Sequence, residues 1–496
     1  MSTVLDLPTE VYNFLSLPAP QSLLIRGPPG TGKSTLAIGL LENFRGRKFL
    51  ISGRVGGPEL RREFPWMTQN GNIQLIDTVG TAGRLKNSAR AIASLRNLIS
   101  EPDVSKDLEG LWLPEQIQDA WARTDPTNPS MVVIDSWDAL IERYLGPRPD
   151  EGGLPDRPEL ERLLLDRMTA GPIFLILVLE RTEQTQLDYL VNAVLETTSG
   201  GQSGRPERWL QLRKLRGTRI DSPAYPFTLE GSRFQCIGPM PTRVLDRNLR
   251  PEAEPDKVPG MIWPGCSDFA SAFGRLRVGR VTLLEKDYSV ANEAMALLVE
   301  PIAGHVVKSG GRVVNVLAPD ISPAEVLKMY REVLSADEIL KQVRFLLTTQ
   351  TGEVPEGMGK TVFPSPFSEG QRGQTGKPEI TQFLQEPGRA GSPNLCLVWV
   401  SALRAMAVER GMDYGPAMLP GLVSMGLSGL GVHAIFLGPE DDAIIHSLRA
   451  IAATRVRLRE SAGRVFVWGE QPITPSFVLT PGEDPSGKPY KLLRIV

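Results

Sequence analysis

The 496-residue chain has length for about two to four domains, and its 41% hydrophobic and 23% charged residues are typical of a folded globular protein. Its 55 Lys and Arg residues nearly balance 57 Asp and Glu residues, which excludes a uniformly basic coat for nucleic acid. The three cysteines, Cys236, Cys266 and Cys396, have no metal-like or redox-pair spacing. The sequence therefore argues against a disulfide scaffold and against a cysteine zinc site.

Two stretches bear on location in the cell. Residues 1–15 have neither the basic n-region nor the apolar h-region of a signal peptide, which predicts a cytoplasmic protein. Residues 415–438 lack Asp, Glu, Lys and Arg and are long enough to cross a bilayer, but prolines and glycines interrupt them. We expect this stretch to form a buried loop or helix that leads into a core strand, and we expect no membrane contact.

The most informative motif lies near the N-terminus. An apolar strand pattern at residues 23–25 precedes a glycine-rich loop, and an amphipathic helix pattern follows it. The loop carries the complete G-x-x-x-x-G-K-[ST] motif in the strand–loop–helix context that it requires. Its residues are Gly27, Pro28, Pro29, Gly30, Thr31, Gly32, Lys33, Ser34 and Thr35.

This loop predicts a site for ATP and Mg²⁺. Glycines allow backbone N–H groups to surround phosphates, and the N-terminus of the following helix favours negative charge. Lys33 is expected to contact the β- and γ-phosphates, and the Ser34 hydroxyl is expected to bind Mg²⁺.

Two later strands end in carboxylates that suit the same site. The apolar residues 131–134 end in Asp135, which is expected to support Mg²⁺ beside Ser34. The apolar residues 173–179 end in Glu180. Glu180 is either a sensor of the γ-phosphate or one partner of a salt bridge at the strand end.

Taken together, the P-loop, the strand that ends in Asp135, the strand that ends in Glu180 and the segment 209–231 resemble the RecA-like ATPases of the KaiC type. Residues 7–37 are especially similar to the KaiC-like subgroup that contains the gas-vesicle regulator GvpD. The resemblance covers roughly residues 5–238.

The resemblance implies that Lys214 and Arg216 lie on a β-hairpin that reaches the nucleotide of a neighbouring subunit. They would sense or stabilise the γ-phosphate there. The protein would then need to form a homo-oligomer, either a ring such as a hexamer or a filament, in order to hydrolyse ATP. On the residues alone, the same hairpin can be basic and exposed without such a role.

One position departs from the KaiC pattern. KaiC-type ATPases carry acidic residues directly after the second core strand, where they activate the attacking water. Here the strand at residues 48–52 continues into Gly53, Arg54 and Val55. Neither Arg54 nor Val55 can orient or deprotonate water as glutamate does. We therefore expect slow hydrolysis and a nucleotide state that serves as a switch.

The second half of the sequence repeats the strand pattern of the first half. Five segments recur in the same order, at residues 279–284, 312–317, 394–401, 434–437 and 465–479. In this alignment Glu285 to Glu293 occupy the loop, Asn292 replaces the P-loop lysine, Glu293 replaces the serine and Val400 replaces Asp135. An acidic loop without glycines repels phosphate, so we expect the copy not to bind nucleotide.

The sequence thus predicts an α/β protein with tandem RecA-like P-loop NTPase domains, each a mostly parallel sheet flanked by helices, the second degenerate. The domains are expected at residues 1–240 and 261–496, joined by a proline-rich linker at 241–260. The predicted function is an ATP-dependent regulatory switch that acts on a partner protein.

Other functions remain open on the sequence. They are a DNA recombination or repair ATPase of the RecA type, a kinase or autokinase, and an ATP-sensing scaffold that does not hydrolyse. The basic helical pattern at residues 84–100 is compatible with nucleic acid or an acidic partner, although we favour a solvated helix face. It contains no aromatic residue for base stacking, so nucleic-acid binding has no support there.

Overall fold

A computed structural model describes residues 6–67 except 19, 73–77, 129–145, 173–240 except 203, 250–317, 321–346, 392–409, 432–482 and 487–496. Short pieces at residues 158, 161–162, 165, 362–363 and 383–384 are also described. The chain divides into two compact units, Met1–Gly238 with Ile495–Val496, and Pro239–Arg494.

The first unit is built on one nine-stranded sheet. Its strands are β1 (Gln21–Arg26), β2 (Arg47–Ser52), β3 (Ile73–Asp77), β4 (Ser130–Asp135), β5 (Ile173–Val178), β6 (Ala193–Gln202), β7 (Arg205–Leu215), β8 (Ala224–Thr228) and β9 (Gln235–Cys236). Its α-helices are α1 (Thr9–Leu15), α2 (Lys33–Asn43), α3 (Gly57–Glu63), α4 (Trp137–Leu145) and α5 (Leu187–Leu190), with 3₁₀ turns at Pro65–Met67 and Glu230–Ser232.

The strand order in this sheet is β3-β2-β4-β5-β1-β6-β7-β8-β9. All neighbours from β3 to β6 are parallel, and β6 to β9 pair antiparallel. The apolar residues of the central strand β1 are buried on both faces of the sheet: Leu23 and Ile25 enter one core cluster, and Leu24 enters another. Parallel strands have their carboxyl ends at one edge, which is where α/β folds place ligands.

The second unit contains a ten-stranded sheet and a separate two-stranded sheet. The strands are β10 (Met261–Ile262), β11 (Leu276–Arg277), β12 (Val281–Lys286), β13 (Val313–Val316), β14 (Val343–Leu346), β15 (Val362–Phe363), β16 (Asn394–Trp399), β17 (Val432–Pro439), β18 (Ala452–Ser461), β19 (Arg464–Gln471), β20 (Phe477–Pro481) and β21 (Tyr490–Arg494). The α-helices are α6 (Ser267–Phe273), α7 (Asn292–Lys308), α8 (Pro323–Val333), α9 (Ala336–Gln342), α10 (Val400–Glu409) and α11 (Ala443–Leu448).

The two large sheets share one topology. The order β14-β13-β16-β17-β12-β18-β19-β20 in the second unit corresponds strand by strand to β3-β2-β4-β5-β1-β6-β7-β8 in the first. The change from parallel to antiparallel pairing also falls at the same place, between β18 and β19 as between β6 and β7. The tandem α/β architecture with mostly parallel sheets, predicted from the sequence, is confirmed.

Three sequence predictions fall partly or wholly outside the described residues. The basic pattern at residues 84–100 lies outside the described residues. Residues 415–431 of the uncharged stretch also lie outside them, and its last residues, 432–438, belong to β17. Of the predicted linker, residues 250–260 are described and contain no helix or strand. Within the described parts of the chain, no helix has both the length and the apolar character needed to cross a membrane.

Candidate functional site

The loop between β1 and α2 is shaped by its glycines. Gly27, Gly30 and Gly32 have φ values of 150°, 74° and 87°, a region that disfavours residues with a side chain. A Cβ atom on Gly27 would lie 2.1 Å from the backbone oxygen of Thr197 on β6. The Thr31 hydroxyl donates to the Pro28 carbonyl at 2.8 Å and lies 2.7 Å from the Thr197 hydroxyl. The loop is therefore fixed against the neighbouring strand.

Lys33 is the first residue of α2 and lies against this loop. Its side chain is buried, with 6% of the residue exposed, and its amine donates to the Pro28 carbonyl at 2.7 Å. Burial lowers the pKa of Lys33, while the charges of Glu180 and Asp135 oppose this shift. The cation is thus held where the loop and the helix N-terminus would receive phosphate.

The predicted metal ligands are brought together. The Ser34 hydroxyl, at the second position of α2, donates to the Asp135 carboxylate at the end of β4. Burial raises the pKa of Asp135, and the Ser34 hydrogen bond and the charge of Lys33 oppose the rise. A hydroxyl and a carboxylate are oxygen ligands of the kind that Mg²⁺ accepts.

The described residues contain no group of three or more His, Cys, Asp or Glu side chains that could hold a metal ion alone. Mg²⁺ in nucleotide sites takes one or two protein ligands and completes its shell with phosphates and water. Ser34 and Asp135 are the residues present that suit this arrangement.

Glu180 follows β5 and forms an ion pair with Arg54, which follows β2. The backbone N–H of Glu180 donates to the Asp138 carboxylate at 3.2 Å. Glu180 thus has a salt-bridge partner in Arg54, and its role toward a γ-phosphate stays a prediction. The charges of Glu180 and Arg54 both act on Lys33 and on Asp135, so all four side chains belong to one cluster.

Comparison with known proteins agrees with this geometry. Residues 11–213 match the family model of the P-loop domain of the GvpD gas vesicle protein. The first unit is therefore similar to the GvpD P-loop domain over these residues, and we refer to it as the GvpD-like domain. Proteins GvpD2 and GvpD1 of Halobacterium salinarum are 29% and 28% identical to this chain over 241 and 239 residues. These matches cover 47% of this chain and 44% and 41% of the two relatives, so the matched region is less than half of each relative.

The predicted resemblance to the GvpD-containing subgroup is thereby confirmed. The motif and the match together make the GvpD-like domain a nucleotide-binding domain.

In the GvpD-like domain, Lys214 and Arg216 lie at the end of β7 and just beyond it. The Lys214 amine donates to the carbonyls of Asp188, Tyr189 and Val191 at 2.8, 3.2 and 2.7 Å, and Arg216 donates to Tyr189 at 3.3 Å. Both cations therefore have partners at the C-terminal end of α5 within the same chain. Their predicted role at a neighbouring subunit stays a prediction.

Arg26 was not among the residues predicted from the sequence. It is the last residue of β1, directly before Gly27, and it is buried. Its guanidinium pairs with Asp188 of α5 at 2.6 Å and with Glu196 of β6 at 3.1 Å. The signal available in the sequence was a charged residue at the end of the apolar run that leads into the P-loop. Arg26 therefore connects the start of the P-loop to α5, the helix whose backbone carbonyls accept hydrogen bonds from Lys214 and Arg216.

In the corresponding loop of the second unit, the amine of a lysine occupies the space that the loop encloses. Lys286, the last residue of β12, donates to the Val290 carbonyl at 2.6 Å and to the Asn292 side chain at 2.7 Å. Helix α7 begins at Asn292, as α2 begins at Lys33, so Asn292 and Glu293 occupy the helix positions of the P-loop lysine and serine. Val400 follows β16 as the first residue of α10.

One sequence prediction for this loop was wrong. Glu285 and Lys286 were placed in the loop, whereas the structure includes both in β12. The reason is that Glu285 is buried between Arg449, at 2.5 Å, and Arg455 on the neighbouring strand β18, at 3.0 Å. Two cations compensate the buried carboxylate, and the strand continues through it.

Proposed function

We propose that this chain is a GvpD-type regulatory protein of the cytoplasm, whose first unit binds Mg-ATP and hydrolyses it slowly. The bound nucleotide then acts as a switch on a partner protein. The observation that carries this proposal is the meeting of Lys33, Ser34 and Asp135 at one sheet edge, around a loop that is held open by glycines.

Each of these residues has a distinct task in binding. The backbone N–H groups of the loop and of the first turn of α2 would hold the phosphates, and Lys33 would exchange its bond to Pro28 for a phosphate oxygen. Ser34 would bind Mg²⁺ directly, while Asp135 would orient the water molecules around it. Bound Mg²⁺ supplies charge neutralisation at the β- and γ-phosphates.

Slow hydrolysis follows from the residues at the end of β2. General base catalysis contributes roughly 10²–10⁴-fold to rates in enzymes that use it. The position directly after β2 carries Arg54, and a guanidinium cannot take a proton from water. A water molecule at this position would therefore lack a general base there.

We further propose that full activity requires a homo-oligomeric ring, such as a hexamer, in which Lys214 and Arg216 approach the nucleotide of the next subunit. The support is the place of Lys214 at the end of β7 and of Arg216 just beyond it, both beside α5, together with the exposure of Arg216. A link to gas vesicles comes from the name of the matched family and is part of the proposal.

The test is steady-state Mg-ATP hydrolysis measured against protein concentration. We expect the rate per protomer to rise with concentration, and to be lost in Lys33→Ala and in Arg216→Ala. Arg219→Ala is the matched control, because Arg219 lies on the same connection with 88% of its side chain exposed and pairs with Asp221.

Three outcomes would contradict parts of this proposal. A rate independent of concentration, with Arg216→Ala unchanged, would remove the ring. Wild type that binds ATP but turns it over no faster than Lys33→Ala would be a scaffold that senses ATP. Strong stimulation by DNA would favour a recombination or repair ATPase instead.

A further inference from the structure

We propose that Arg54 contacts the γ-phosphate of a nucleoside triphosphate bound in the same chain, and that Glu180 holds Arg54 when no γ-phosphate is present. The pair would make the site distinguish triphosphate from diphosphate. This inference rests on the proposed nucleotide site and adds the residue that reads the nucleotide state.

The first support is the position of the pair. Strand β4 lies between β2 and β5, and the ion pair joins residues that follow those two outer strands. It therefore crosses the end of β4, where Asp135 and its Ser34 hydrogen bond lie. Burial is the main cause of the lowered pKa of Lys33, and the positive charge of Arg54 adds to it, so the two cations act on the same site.

The second support is a fixed backbone that carries an exposed side chain. The Gly53 N–H donates to the Asp135 carbonyl at 2.7 Å, and the Ser52 hydroxyl donates to the Val55 carbonyl at 2.6 Å. The first bond anchors the chain before Arg54 to β4, which carries Asp135, and the second ties the chain after Arg54 back to the end of β2. The Arg54 side chain itself is 54% exposed, so it can turn without disturbing the core.

The third support is charge. Glu180 is 31% exposed, and ion pairs with such access to water are held weakly. A terminal phosphate carries more negative charge than one carboxylate and accepts two parallel N–H bonds from a guanidinium. Arg54 would therefore exchange Glu180 for the γ-phosphate, whereas a diphosphate offers no such partner.

This exchange also gives a reason for an arginine at the position where related ATPases carry acid. An arginine supplied within the same chain can stabilise the charge that develops on a transferring phosphoryl group. Its place beside Glu180 keeps the cation close to the site between turnovers.

The experiment compares the affinities of AMP-PNP and ADP, both with Mg²⁺, for the full-length protein and its variants. For Arg54→Ala we expect roughly tenfold weaker binding of AMP-PNP, as for the loss of a charge-assisted hydrogen bond, and ADP affinity within about twofold of wild type. Arg54→Lys, which keeps the charge, should recover part of the loss. Arg62→Ala is the charge-matched control, because Arg62 on the following helix α3 is 81% exposed and pairs with Glu59.

A second comparison tests whether Glu180 acts by holding Arg54. Glu180→Gln should raise the preference for AMP-PNP over ADP when Arg54 is present. The same change in the Arg54→Ala background should leave that preference unaltered. A preference that shifts equally in both backgrounds would overturn the holding role of Glu180.

The possible failures can be told apart. If wild type binds neither nucleotide, or if Lys33→Ala binds both as well as wild type, the proposed site fails and the inference fails with it. If Lys33→Ala abolishes binding but Arg54→Ala keeps the wild-type preference, or loses both nucleotides equally, only the inference about Arg54 is overturned.

Discussion

Asp135 combines a buried position with a task that requires its negative charge. Its pKa is raised by burial, with Ser34 and Lys33 opposing the rise. Only the ionised form supports Mg²⁺, so lowering the pH should remove that support earlier than it would for an exposed aspartate.

We therefore expect the Mg²⁺-dependent part of nucleotide affinity to fall as the pH drops from 8 toward 5. Asp135→Asn should weaken it by about tenfold at pH 8 and abolish its pH dependence, since one charge-assisted contact is lost. Titrations with Mg²⁺ and with EDTA at each pH measure this. Asp221→Asn is the control because Asp221 is exposed, and an Asp135→Asn variant with wild-type Mg²⁺ dependence would exclude the metal role.

Glu300 in the second unit also has a pKa that is raised by burial, although no catalytic or binding role is predicted for it. It lies in α7, is hydrogen-bonded to Tyr330, and burial raises its pKa from 4.5 to about 8. Between these two values the folded state keeps a proton that the unfolded chain has released. Stability is therefore greatest below the unfolded value and is lost as the pH rises through this window.

Relative to Glu300→Gln, we expect the wild-type free energy of unfolding to decline by about 1.4 kcal/mol per pH unit within that window. Hydrogen exchange in α7 and β13 at several pH values reports the stability of this unit. Glu293→Gln, on an exposed position of the same helix, should leave the pH dependence of wild type intact. Parallel pH profiles for wild type and Glu300→Gln would show that Glu300 is ionised in the fold.

At the scale of elements, the P-loop works because its backbone can approach β6. Gly27→Ala would place a Cβ atom 2.1 Å from the Thr197 oxygen, so the loop must move. Gly30→Ala meets nothing within 4 Å, although its φ of 74° remains unfavourable for alanine. The two substitutions thus separate loop displacement from backbone strain.

We expect Gly27→Ala to weaken nucleotide binding by at least about tenfold. Gly30→Ala should cost about 1–2 kcal/mol in stability for its left-handed backbone and change affinity much less. Affinity for AMP-PNP and denaturant unfolding of both variants give the comparison. Equal affinities for the two variants would show that contact with β6 does not shape the site.

The sequence could predict these elements where one local pattern decides the structure. The apolar runs before Asp135 and Glu180 predicted β4 and β5, and the motif at Lys33 predicted the loop and the start of α2. Partners that depend on strand order could not be predicted. Arg54 and Glu180 are more than a hundred residues apart in sequence. They form an ion pair because β2 and β5, the strands that they follow, lie on either side of β4 in the sheet.

Buried charged residues were the second feature that could not be predicted from the sequence. Arg26 and Glu285 interrupt apolar runs, and the composition of a strand does not reveal which opposite charges the fold will bring to it. Glu285 was therefore assigned to a loop, although Arg449 and Arg455 allow it to continue the strand.

At the scale of the whole molecule, the described residues carry one topology twice and the P-loop motif once. The strand order is the same in both large sheets, but the loop before α7 has no glycine and encloses the Lys286 amine. We expect one nucleotide site per chain, in the GvpD-like domain.

Isothermal titration of the full-length protein with Mg-AMP-PNP tests this claim most directly, with Lys33→Ala and Lys286→Ala as a matched pair. The account predicts one nucleotide per chain for wild type and for Lys286→Ala, and no measurable binding for Lys33→Ala. Two nucleotides per chain, or binding that survives Lys33→Ala and is lost in Lys286→Ala, would contradict it.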